Sequence, residues 1–203
     1  MDPKPAKYAP RETSDVAGLV SAHPFGWIVS CSGGGATALP FRPIFDSDGT
    51  LCALHGHFAR GNPQVADLRA KPEALILLLG PHGYISPSWM TDRAQAPTWN
   101  YASAMFRCAI RFIDDPAETL DLLGDLIGHM EQGRPNAWSL TEMGARAESL
   151  SRGIVAFKAD ILEQQAAFKL GQDERDDVYG DIVRALTDEA LRDAMQRQNP
   201  GRS

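Results

Sequence analysis

The sequence predicts an α+β chain built as a small antiparallel β-barrel with helices packed outside it. Three observations predict this. Strand-like runs joined by short turns fill the first half, and helical periodicity dominates the second. No βαβ alternation is present. The longest strongly apolar run, Ala74 to Leu79, is short enough for a strand and far too short to span a bilayer.

The elements follow in order. Residues 1–13 are polar and proline-rich and read as an extended arm. Ser14 can cap a short helix with Val16, Leu19 and Val20 on its apolar face, ended by His23-Pro24. Phe25 to Cys31 reads as a strand, Gly33-Gly34-Gly35 as a hairpin turn, and Ala36 to Phe45 as one returning strand. Asp46 to Gly49 turns the chain again, and Thr50 to His57 completes a three-stranded meander. Asn62-Pro63 opens a helix to about Arg69, with Asn as N-cap and Pro in the first turn. Ala74 to Leu79 lacks polar alternation, which predicts a strand buried on both faces, extended by Gly83 to Ser86. Pro87 to Thr98 is a loop, and Tyr101 to Asp114 a long strand. Pro116 opens a helix with Leu120, Leu123, Leu126, Ile127 and Met130 facing inward. A helical stretch near Thr141–Leu150 and a strand over Ile154–Leu162 follow. The rest, from Arg175, is helical, with Val178, Ile182, Val183, Leu186 and Leu191 as its stripe. No linker stands out, so residues 1–203 read as a single domain with a helical C-terminal extension.

Composition narrows the function. Hydrophobic residues make up 43% of the 203, which is ordinary globular usage, so a core forms without staples. Cys31, Cys52 and Cys108 are odd in number and widely spaced, which argues against a disulfide framework or a zinc ribbon. MDPKPAKYAP has no apolar core of the signal-peptide kind. A reducing cytoplasm is the expected home. The net charge of −6 lowers the expectation of direct DNA binding.

Three clusters carry chemistry. The first, His55 to Gln64, lies where a strand meets a helix. Free N–H groups at a helix start, the planar cation of Arg60 and two glycines together describe a phosphate-binding corner; an ordinary helix cap with a surface arginine is the alternative. His55 and His57 share one strand face. A metal would need a third ligand, with His82 the only nearby candidate, and one buried plus one exposed histidine is the plainer reading. The second and third clusters, Pro81–Trp89 and Pro97–Tyr101, set aromatic rings among small hydroxyls. They suit a flat heteroaromatic ligand, or the plug at a barrel's end. The cysteines fall in expected strands and read as packing residues. No dinucleotide fingerprint, P-loop or nucleophile elbow occurs, and no helix-turn-helix is evident.

The strings PFG (24–26), LPF (39–41), GHFARGNPQ (56–64), GPHGYISPSW (80–89), PTWNY (97–101), GIVAFK (153–158) and AAFKLGQ (166–172) resemble the PaiB-like FMN-binding negative transcriptional regulators. That family is similar to the pyridoxamine-phosphate-oxidase-like flavin proteins. The resemblance implies an antiparallel split β-barrel and a homodimer with FMN between its subunits. It implies cofactor contacts at His57, Arg60 and Asn62, at Pro40 and Phe41, at Tyr84 and Ser86, and at Trp99, Asn100 and Tyr101. It leaves open a flavin-dependent oxidoreductase, a transcriptional regulator, or a diverged ligand-binding module, and names no catalytic residue. Ala38 and Met105 stand where the family usually has histidines, Cys108 stands for a glycine and Val65 for a tryptophan.

Overall fold

In the computed structural model, which describes residues 7–202, strands and helices divide between two compact units. Residues 1–6 of the expected arm lie outside the described residues. The larger unit holds residues 23–78 and 105–164, and the smaller one, among the described residues, 7–22, 79–104 and 165–202.

The larger unit is organised by one seven-stranded sheet. Its strands are β1 (Phe25–Ser30), β2 (Ala36–Pro40), β3 (Arg42–Phe45), β4 (Leu51–Ala59), β5 (Glu73–Ile85), β6 (Thr98–Ile113) and β7 (Ile154–Lys169). They lie in the order β2-β1-β5-β6-β7-β4-β3. The hairpin β1–β2 pairs Trp27 with Ala38 and the hairpin β3–β4 pairs Arg42 with His55, both antiparallel. The expected single strand Ala36–Phe45 is therefore two. It breaks at Phe41, whose N–H donates to Pro24 O at 2.8 Å and whose ring is fully buried. Its halves are the two outer strands of the sheet, one residue apart in the chain. The sheet must curl to bring those edges together, which is how an antiparallel sheet becomes a barrel.

Phe41, Phe58 and Phe112 surround Phe157, with ring centroids 5.1–6.5 Å from it, and these rings fill the core. Gly56 is required there, because a Cβ on it would fall 2.7 Å from the Phe157 ring. The helices of this unit are α2 (Gln64–Ala70), α3 (Pro116–Glu131) and α4 (Arg146–Ser151), with a 3-10 turn at Leu140–Met143. Asp115 caps α3 by accepting from Ala117 N and Glu118 N. The buried face of α3 is Thr119, Leu122 and Leu126. Only Leu126 of the expected stripe is shared, because the helix is rotated about its axis from the position that counting leucines suggested.

Strand β5 also differs from expectation. It is 13 residues long and alternates, with Ile76 and Leu78 buried but Leu77 and Leu79 exposed. Its apolar run reflects two apolar faces, one of them uncovered.

The smaller unit holds the far ends of β5, β6 and β7 with α1 (Ser14–Ala22), α5 (Asp176–Ala185) and α6 (Glu189–Gln198). Leu19 of α1 packs so closely on Gly80 that a Cβ there would lie 2.4 Å from its Cδ1. Val178, Tyr179 and Ile182 of α5 and Leu191 and Met195 of α6 are buried. Asp188 caps α6 through Leu191 N. Phe168 N donates to Tyr8 O at 2.8 Å, so the chain from Tyr8 is tied to β7.

Candidate functional site

The structure distributes the expected contacts over the two units. The corner with His57, Arg60, Asn62, Pro40 and Phe41 belongs to the larger, and the aromatic strings with Tyr84, Ser86, Trp99, Asn100 and Tyr101 to the smaller.

At the corner the helix start is closed on itself. Asn62 Oδ1 accepts from Gln64 N at 2.9 Å, Val65 N donates to Asn62 O, and Ala66 N to Pro63 O, while Pro63 has no N–H. No free N–H remains at this end of α2 to meet an anion. Asn62 Nδ2 donates to Thr37 Oγ1 at 3.0 Å. That hydroxyl donates to Gln64 Oε1 at 2.7 Å, and Gln64 Nε2 donates to Ile28 O and Gly35 O. This network fastens the turn after β4 to the β1–β2 hairpin. Arg60 donates from Nε to Arg152 O at 2.8 Å and from Nη2 to Ile154 O at 2.7 Å. Two edges of its guanidinium are thus engaged with backbone, and Nη1 is left for a ligand. Of the two glycines read as ligand approaches, Gly56 faces Phe157, whereas Gly61 borders open space. Phe41 is a core ring; only its neighbour Pro40, half-buried opposite Phe25, is accessible.

The two histidines project from one face of β4 and both are half-buried. Each has its Nδ1 sealed from solvent with no hydrogen-bond partner. Burial pushes the His57 pKa down; His55 is lowered to about 4, by burial first and then by Arg42 and Lys158. Both imidazoles are therefore neutral at pH 7. Among the described residues no three His, Cys, Asp or Glu side chains stand together as a metal site.

In the smaller unit His82, Tyr84 and Trp99 form a ring cluster. His82 stacks on Trp99 at 6.3 Å with a 22° interplanar angle, and Tyr84 meets Trp99 edge-on at 6.2 Å. Tyr84 and Trp99 are 47% and 54% exposed, so the cluster faces outward rather than plugging a core. His82 Nδ1 lies 2.9 Å from Gly80 O, which orients the ring. Sequence reasoning named His82 singly as a possible third metal ligand and otherwise only within the Pro81–Trp89 string; its place between Gly80 and Gly83 was the available sign that the ring lies open. Ser86 caps the turn at Pro87–Trp89 by accepting from Ser88 N. Asn100 is buried, donates to Met195 Sδ, and leaves Oδ1 without a partner. Tyr101 is half-buried on β6.

Of the cysteines, Cys31 lies just past β1 and is exposed, against expectation. Cys52 Sγ donates to Ile44 O, and burial pushes the Cys108 thiol up to about 12, so both are packing residues.

Comparison with known proteins agrees with this architecture. A family profile described as "Putative FMN-binding domain" matches residues 4–163. The protease synthase and sporulation protein PAI 2 of Bacillus subtilis is 30% identical over 95% of this chain and 92% of its own. An uncharacterised Aspergillus fumigatus protein is 28% identical, the match spanning 63% of each. Among solved structures, a FAD- and heme-binding protein of Mycobacterium smegmatis superposes with a TM-score of 0.60 at 16% identity, covering 87% of this chain and 80% of that one. The flavocytochrome Anf3 of Azotobacter vinelandii gives 0.59 at 14%, covering 80% and 69%. These superpositions show the split-barrel fold. With the profile spanning most of the sequence and a relative aligned over nearly all of it, the chain belongs to the PaiB-like family of FMN-binding split-barrel proteins.

Proposed function

We propose that this chain is a homodimeric flavin protein that holds FMN through its own side chains and uses it in redox chemistry. The observation that carries the reading is the outward-facing His82–Tyr84–Trp99 cluster, an aromatic surface matched to a flat heteroaromatic ring. The donor set fits as well: His57 Nδ1 is sealed without a partner, and Arg60 keeps one guanidinium edge unengaged. In the larger unit Arg60 and His57 would offer contacts to polar groups, with Asn62 and Pro40 beside them; in the smaller unit Trp99 and Tyr84 would offer a ring face, with Tyr101, Ser86 and Asn100 beside them. FMN supplies the electron transfer when bound; the protein binds it, orients it and limits water. We read the chain as one domain, since β5, β6 and β7 each contribute to both units.

The test is the visible spectrum of the purified protein with mass spectrometry of any released chromophore, then titration of FMN into wild type, Arg60→Ala and Trp99→Ala. Arg60→Ala should raise the Kd at least ten-fold, because charge-assisted bonds contribute about 1.5–3 kcal/mol. It should also lower stability, since two backbone carbonyls lose their donor. Equal FMN affinity in all three proteins, or no flavin uptake by wild type, counts against the reading.

A second reading follows from the resemblance to FMN-binding negative transcriptional regulators: the chain would regulate transcription, acting through partner proteins rather than by gripping DNA, given its net charge of −6. A gel shift at moderate salt that retards a specific promoter fragment would show direct binding instead. We place the protein in the cytoplasm; among the described residues no helix is long and apolar enough to cross a membrane, and cell fractionation checks the placement.

A further inference from the structure

Arg42 of β3, His55 of β4 and Lys158 of β7 stand at directly opposed register positions. Opposed residues of antiparallel strands have Cβ atoms about 4.5–5.5 Å apart, so the three side chains form one row across neighbouring strands. The row lies on the face away from the core, since Leu54, Gly56 and Phe58 face inward between and beside the histidines. Arg42 Nη1 donates to Asp125 Oδ2 of α3 at 3.0 Å. Lys158 Nζ is 3.7 Å from Asp160 Oδ1, a carboxylate that Arg111 already holds through two bonds. Asp160 is thus shared between Arg111 and Lys158, which leaves the Lys158 ammonium the least satisfied cation of the row, beside a neutral imidazole. A sealed Nδ1 without an acceptor is better left as a lone pair, which puts the proton of that imidazole on Nε2, the ring's other nitrogen.

We propose that the Arg42–His55–Lys158 row is a subsite for a phosphate-class oxyanion, either the phosphate of a monoester such as FMN or inorganic phosphate. Two cations and an imidazole N–H converge from adjacent strands, the donor set that recognises a tetrahedral oxyanion. The carboxylate of Asp125 already occupies the arginine and acts as an internal competitor, so α3 and an incoming phosphate bind there in opposition. An anion in the row also offsets the repulsion from Arg42 and Lys158 that adds to burial in keeping His55 uncharged. The subsite is separate from the Arg60 corner and stands without the flavin reading, which it deepens only if FMN is the source of the phosphate.

The experiment follows the His55 imidazole by NMR in the full chain while inorganic phosphate is added to ~20 mM, well above a millimolar Kd. Phosphate should shift the His55 signals and raise its pKa. Asp125→Asn should tighten phosphate binding several-fold, and Arg42→Gln with Lys158→Gln should weaken it ten-fold or more. FMN and riboflavin are titrated in parallel. If FMN is the source, the double variant loses FMN affinity and keeps riboflavin affinity; if free phosphate is, both flavins bind as before. His55 signals that phosphate leaves unmoved in both wild type and Asp125→Asn, or moves equally in the double variant, overturn the subsite. Absence of flavin uptake with the phosphate response intact sinks the flavin reading alone.

Discussion

Single residues in this protein are set by what touches them more than by what they are. His55 is held neutral, with a folded pKa of about 4 against 6.5 unfolded. Between those values the unfolded chain binds a proton that the folded one does not, so stability falls as pH drops through 6.5, and the loss is complete below 4. The ring is only half-buried, so solvent screening holds the effect to the order of 1 kcal/mol. His57 titrates with the same sign. The stability difference between wild type and His55→Asn, measured by urea unfolding, should shrink in wild type's disfavour from pH 7 to pH 4.5; a pH-independent difference would exclude this assignment. The two family histidines absent here, at Ala38 and Met105, sit half-buried on β2 and β6, with Ala38 opposite Trp27. Calorimetry with FMN on Ala38→His, Met105→His and the double variant should show coupling beyond about 0.5 kcal/mol if both contact one ligand. Additive, near-zero effects would separate them.

At the scale of elements, close approach decides. Gly26 of β1 lies against β5 such that a Cβ would fall 2.4 Å from Leu77 O and 2.7 Å from Leu78 Cδ2. A backbone oxygen cannot swing aside, so Gly26→Ala should destabilise by about 1–3 kcal/mol, read as a lower urea midpoint at unchanged slope. Most elements were legible in the sequence because caps and turns are local: Ser14, Pro116 and Gly33-Gly34-Gly35 mark their boundaries in the structure as expected. The break at Phe41 was not legible, since the residues around it favour a strand on either side and only pairing with two different partners separates them. The buried face of α3 was missed for a related reason. Leucines cover more than one side of that helix, and the choice between sides is made by what it packs on. The candidate site was legible as strings but not as geometry. The row of Arg42, His55 and Lys158 exists only once β7 is known to lie beside β4.

For the whole molecule, the outer face of β1 and β5 matters most. Phe25 and Trp27 are exposed, and Trp27 is directly opposite Leu77, also exposed. An uncovered apolar strip of this kind is commonly an interaction surface, and it is the surface the proposed homodimer would use. Light scattering at micromolar concentration should give twice the 22.1 kDa chain mass, and Trp27→Glu with Leu77→Glu should give the single mass. A wild-type monomer would refute the assignment. The pairing of β4 with β7 has a separate consequence for how the molecule is made. Ala53 to Ala59 hydrogen-bond with Ile154 to Asp160, so the barrel cannot be sealed until the residues through Asp160 have left the ribosome. Until then the Ala74–Leu79 segment waits with its inner face, Ile76 and Leu78, uncovered. Such long-range pairing slows folding and exposes the nascent protein to aggregation, so yield should depend on chaperones and on translation rate far more than the stability of the finished fold suggests.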